Sequence, residues 1–148
     1  MDVETQIEGF IARFTDEVAA QIRAARVKMR QRLPGAIELV YDNYNALAIG
    51  YAPNERSKDA IFSIAGYPRW VSLFLVVGPH LFDPKGLLKG EGGVVRHIVL
   101  KGPDMLDDPD VCDLMDQALA RATPPLDPAQ PFRSVVKSIS AKQRPRRP

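Results

Sequence analysis

The chain has 148 residues, of which 45% are apolar, 26% charged and 7% aromatic, proportions that fit one globular domain rather than a disordered or fibrous chain. A single cysteine, Cys112, excludes an intrachain disulfide and any multi-cysteine zinc or iron–sulfur centre, and no run approaches the ~18 apolar residues of a membrane span. The net charge of +2 is unevenly placed: Phe132–Pro148 carries six basic residues and no acid, so residues 1–131 hold 14 basic and 18 acidic residues and the basic excess belongs to the tail.

In chain order, Val3, Ile7, Phe10, Ile11 and Phe14 recur at helical spacing. Thr15 then reads as an N-cap, followed by Asp16 and Glu17 where the helix dipole favours acids. The second helix carries Val18, Ile22, Ala25 and Met29 on its apolar stripe and stops at Pro34-Gly35. Its basic residues Arg23, Arg26, Lys28, Arg30 and Arg32 form either a solvated face or a phosphate or partner surface. From Ala36 the period becomes two: Ile37, Leu39 and Tyr41 alternate with Glu38, Val40 and Asp42, and Leu47, Ile49 and Tyr51 with Ala46, Ala48 and Gly50, predicting a hairpin. Ala60, Phe62 and Ile64 mark a third strand. The run Trp70–Val77 suits a strand interior to the sheet. Short connections predict an antiparallel meander. A glycine-bearing loop leads to a strand at Val94–Leu100, and Asp107-Asp108-Pro109 opens a last helix. Domain boundaries follow: an α+β domain over 1–123, a proline-rich linker with a further strand over 124–140, and a disordered basic tail over 141–148.

The sequence has no nucleophile elbow, zinc-protease, P-loop or dinucleotide motif, so a non-enzymatic protein is expected. Cys112 reads as a small packed residue. The glycines of Lys89-Gly90-Glu91-Gly92-Gly93 form either a tight turn or an anion-approaching loop. Arg96 beside it requires either a salt bridge or edge position, or serves anion recognition. Asp110, Asp113 and Asp116 share one helical face and offer oxygens to a hard cation such as Fe²⁺, Mn²⁺ or Ca²⁺, or else simply solvate and cap the helix.

The segments ELVYDNYNALAIGY (38–51), GLLKGEGGVVRHIVL (86–100) and SISAKQRPRRP (138–148), with the helix pattern around them, resemble the YdhG-like family of small bacterial domains over nearly the whole chain. The resemblance implies a frataxin-like α-β sandwich, with a mostly antiparallel sheet of five to six strands, two N-terminal helices and one C-terminal helix. Most of that family has no assigned function; one branch has been proposed as an intracellular iron chaperone binding metal through surface acids. Two expectations follow. The first is a cytoplasmic binding protein holding iron weakly on Asp110, Asp113 and Asp116, or a small anionic ligand near Tyr41, Tyr44, Trp70, Lys89 and Arg96. The second is an interaction module whose basic tail contacts nucleic acid or an acidic partner.

Overall fold

In the computed structural model, which describes residues 2–76 and 78–148, each helix begins at a capping side chain. Asp2 accepts from the Thr5 amide ahead of α1 (Val3–Ile11), Thr15 from the Val18 amide ahead of α2 (Asp16–Arg32), and Asp108 from the Asp110 and Val111 amides ahead of α3 (Pro109–Arg121). Each cap satisfies backbone donors that the first helical turn leaves orphaned. The strands are β1 (Ile37–Asp42), β2 (Leu47–Ala52), β3 (Phe62–Gly66), β4 (Val71–Val76), β5 (Val95–Leu100) and β6 (Arg133–Ile139). They form one sheet in the order β5-β4-β3-β2-β1-β6. The α+β class is therefore as the sequence predicts. β4 is interior, paired on both sides; Val77, the last residue of its predicted span, lies outside the described residues.

The sheet is mixed. β1 to β5 form the expected antiparallel meander, but β6 runs parallel to β1. The cause is the proline-rich linker, which is pinned rather than free. The Gln130 side chain donates to the carbonyls of Gly35 (2.8 Å) and Pro53 (3.0 Å), setting the start of β6 beside the start of β1. Gly35, at φ +85°, lets the linker pass: a Cβ there would sit 1.9 Å from the Asp127 carbonyl oxygen.

The three helices cover one face of the sheet. Ile7, Ile11, Ile22 and Met29 from α1 and α2 and Val111 and Met115 from α3 pack with Val40, Ile49, Phe62, Ile64 and Leu73 in one core. On β1 the face assignment differs from a simple alternation with apolar residues inward. Val40 faces the helices together with Glu38 and Asp42, while Ile37 and Leu39 face the other way. They are buried too, because Ala52, Tyr41, Ala60 and Val135 close over them in a second cluster. The β2–β3 connection, with its 3-10 turn Ser57–Asp59, covers that part of the second face.

Both inward carboxylates of β1 are matched. Glu38, 1% exposed, accepts from Arg26 Nη2 (2.8 Å) and Nε (3.1 Å), Tyr51 Oη (2.8 Å) and Ser134 Oγ (2.7 Å). Asp42, also 1% exposed, accepts from Arg146 Nη2 (2.9 Å), Gln143 Nε2 (2.8 Å) and Arg13 Nη1 (3.3 Å). An unpaired buried carboxylate is prohibitively costly, and Asp42 takes most of its partners from the last eight residues. This corrects the expectation of a disordered tail over 141–148. Arg146 is 3% exposed, and its guanidinium also donates to the Asn43 carbonyl (2.6 Å) and lies over the Phe14 ring.

Candidate functional site at the loop end of the sheet

The basic stripe of α2 is occupied within the molecule. Arg23 pairs with Glu8, Arg26 with Glu4 and Glu38, and Lys28 and Arg32 with Asp107. The Arg30 guanidinium lies 4.4 Å from the centre of the Phe132 ring. Burial disfavours the charge on Arg26, but its hydrogen bonds to the Glu38 and Glu4 carboxylates outweigh it and hold the guanidinium firmly protonated. The 180 Å³ cleft between these side chains is thus the mouth of an ion-pair network rather than a phosphate surface.

The acids of α3 do not form an ion cradle. Among the described residues, no three His, Cys, Asp or Glu side chains are grouped so as to hold a metal. This corrects the expectation of one shared face: at 3.6 residues per turn, Asp116 is rotated by about 120° from Asp110. Asp110 pairs with Lys85 at 2.7 Å, and Asp113 accepts from Gln117 Nε2 at 2.9 Å.

The five predicted ligand residues divide into three places. The Tyr41 hydroxyl contacts Ser57 Oγ in the covering β2–β3 connection. Lys89 and Arg96 lie at the outer edge of β5, where Lys89 bridges to His97. Arg96 Nη1 turns back onto the carbonyls of Gly92 and Val95, so it stabilises the glycine loop from an edge position. Tyr44 and Trp70, in contrast, come to the same end of the sheet, where the β1–β2 and β3–β4 turns meet the C-terminal segment.

This loop end is built by local geometry. The Tyr67 amide donates to the Trp70 carbonyl at 2.9 Å, closing a turn that sets the two rings side by side, with centroids 4.7 Å apart and planes 17° from parallel. Offset stacking of this kind is favourable for aromatic quadrupoles. Trp70 remains 41% exposed. Across from it, the Arg144 amide donates to the Tyr44 carbonyl at 2.9 Å, and the Arg144 guanidinium lies 5.6 Å from the centre of the Tyr44 ring. The buried Arg146 is what holds this segment down: its guanidinium binds the carbonyls of the same β1–β2 turn.

Two cavities result. One, of about 500 Å³, is lined by Asn45, Tyr67, Pro68, Arg69, Trp70, Arg144 and Pro148. The other, of about 490 Å³, lies on the sheet face away from the helices. Its floor is Ala48, Ser63 and Ala65, and Tyr44, Tyr67 and Phe74 stand around it. The cavities share Asn45 and Tyr67. Both volumes lie in the ~300–1,000 Å³ range of small-molecule sites. Among the described residues, no carboxylate lies within ion-pair distance of Arg69, Lys142 or Arg144. The arrangement can therefore grip a planar ring by stacking and an anion by charge.

Sequence reading alone missed Tyr67, Arg69, Asn45, Phe74 and Arg144. A signal existed in Tyr67-Pro68-Arg69-Trp70, where a proline turn brings two aromatics three residues apart together around an arginine. Arg144 had no comparable signal, because its position depends on the long-range Arg146–Asp42 pair. No protein-family model, curated protein or solved structure matches the chain.

Proposed function

We propose that this chain is a YdhG-like, frataxin-like domain that acts as a non-enzymatic binding module, taking an anion that carries a planar ring at the loop end of the sheet. One observation carries this reading: the exposed Tyr67–Trp70 stack lies beside Arg69 and Arg144, two guanidinium groups without a carboxylate partner among the described residues. Aromatic faces hold planar groups at little entropic cost, and a guanidinium binds phosphate or carboxylate through paired N–H donors. The iron-carrier reading rests on the family resemblance alone, because Asp110 and Asp113 are engaged elsewhere and no group of metal-holding side chains forms among the described residues.

Trp70 is the sole tryptophan, so its emission reports on the site without a label. Titration with adenosine monophosphate is expected to quench Trp70, while inorganic phosphate at the same concentration leaves it unchanged. The double variant Arg69→Ala, Arg144→Ala should lose the quenching. Unchanged emission together with no calorimetric heat from the nucleotide would reject the site.

A further inference from the structure

Resting on that reading, we propose that the occupant is a single-stranded polynucleotide, bound with one base on the Trp70–Tyr67 stack and the next on the uncovered sheet floor. The two cavities meet at Asn45 and Tyr67, so Tyr67 stands between two adjoining spaces, each of a size that holds a small molecule.

Ala48, Ser63 and Ala65 come from β2 and β3 on the face without helices, and their small side chains leave a shallow surface between Tyr44 and Phe74. A flat base with its face exposed fits such a surface. A duplex, whose base faces are already stacked, does not offer one.

Arg69 on the β3–β4 turn and Arg144 on the C-terminal segment both line the first cavity, and Lys142 lies two residues before Arg144. All three are exposed and lack a carboxylate partner among the described residues. Cations on two separate segments match a backbone bearing one phosphate per nucleotide better than they match a single anion. The Arg146–Asp42 pair and the Arg144–Tyr44 backbone bond hold the C-terminal cations in place before any ligand arrives.

The test is fluorescence anisotropy of the full chain with end-labelled dT12 and U12, the two strands separating DNA from RNA as the source. A 12-base-pair duplex and a 12-residue polyglutamate serve as competitors, and adenosine monophosphate is titrated in parallel on Trp70 emission. At least one labelled strand should bind ten or more times tighter than the mononucleotide. With three phosphates neutralised, log K should fall against log salt with a slope near −2, from ~0.7 per contact. Trp70→Ala should weaken strand binding by roughly 5- to 150-fold, the factor equivalent to losing one stacked base. Trp70→Phe should restore most of it, and far-ultraviolet circular dichroism checks that both variants are folded. Arg144→Ala should reduce the slope by about 0.7.

Strand binding no tighter than the mononucleotide, with Trp70 still quenched by the mononucleotide, overturns the polynucleotide and leaves the planar-anion site standing. Silence in both titrations removes both. Equal competition by duplex or polyglutamate, or indifference to Trp70→Ala in a folded variant, also overturns the inference, because it would show charge acting without stacking.

Discussion

Glu38 and Asp42 put two negative charges on the strand face that packs against the helices, and each is stable there only because its partners are complete. Glu38 accepts four hydrogen bonds from three side chains. Glu38→Ala removes the buried partner of Arg26, which keeps only Glu4 and Glu8 near the surface, and strands the buried Tyr51 hydroxyl; breaking a buried pair from one side typically costs about 3–5 kcal/mol. Urea unfolding should report a loss in that range. Glu38→Gln keeps an acceptor oxygen and should fall between the wild type and Glu38→Ala. At Asp42, Gln143 and Arg13 remain when Arg146 is removed, so Arg146→Ala is expected at the lower end, about 3 kcal/mol by the same measurement.

At the scale of elements, the last eight residues behave as part of the fold. Deleting 141–148 removes Gln143 and Arg146 from Asp42 together and should cost at least as much as Arg146→Ala. At ~2–4 °C per kcal/mol for a chain of this size, the melting temperature should fall by roughly 6–12 °C. Truncation after Ala129 should lower it further, because it also removes β6, the Ser134–Glu38 bond and the packing of Phe132 and Val136. An unchanged melting temperature in the first deletion would contradict the packed tail. These elements also show where the sequence was legible. Thr15 and Asp108 announce their helices because a cap is a local hydrogen bond between residues two or three apart. The apolar positions of β1 to β5 announce strands because their period is local too. The tail did not announce itself: four cations without an acid look like a solvated segment until Asp42, about a hundred residues earlier, is known to face inward. The parallel pairing of β6 was hidden for the same reason, since it depends on where Gln130 finds carbonyl partners. The candidate site was half visible. Tyr44 and Trp70 are exposed aromatics in turns, but grouping them with Lys89 and Arg96 required a proximity that the register denies, since Arg96 lies opposite Leu75 at the far end of β4 from Trp70.

For the molecule as a whole, the ionisable groups bound its stability at both ends of the pH scale. Burial first, and then the neighbouring Glu38 carboxylate, push the Tyr51 hydroxyl well above its ordinary pKa of 10.0. The folded chain therefore retains that proton where the unfolded chain loses it, and stability falls as pH rises above about 10. Tyr51→Phe, although it loses the bond to Glu38, should flatten this alkaline limb. On the acid side, Arg26 holds Glu4, Arg133 holds Glu55 and Lys28 holds Asp107 below their usual values. Their contribution is complete at neutral pH and is lost as pH falls from about 4 downward, gradually because these carboxylates are exposed. Melting temperature measured from pH 3 to 11 should therefore trace a plateau with a shallow acid shoulder and a Tyr51-dependent alkaline decline. The pairing of β1 with β6 has a further bearing on how the chain is made. A ribosome delivers β1 early and its parallel neighbour nearly a hundred residues later, so through most of synthesis the nascent domain has an open strand edge. It also has one inward carboxylate, Asp42, awaiting most of its partners. Such an edge is a template for pairing with other chains. A message cut short after α3 would therefore release an adhesive product, and cells translating it should route that product to chaperones or proteases far more than the full chain.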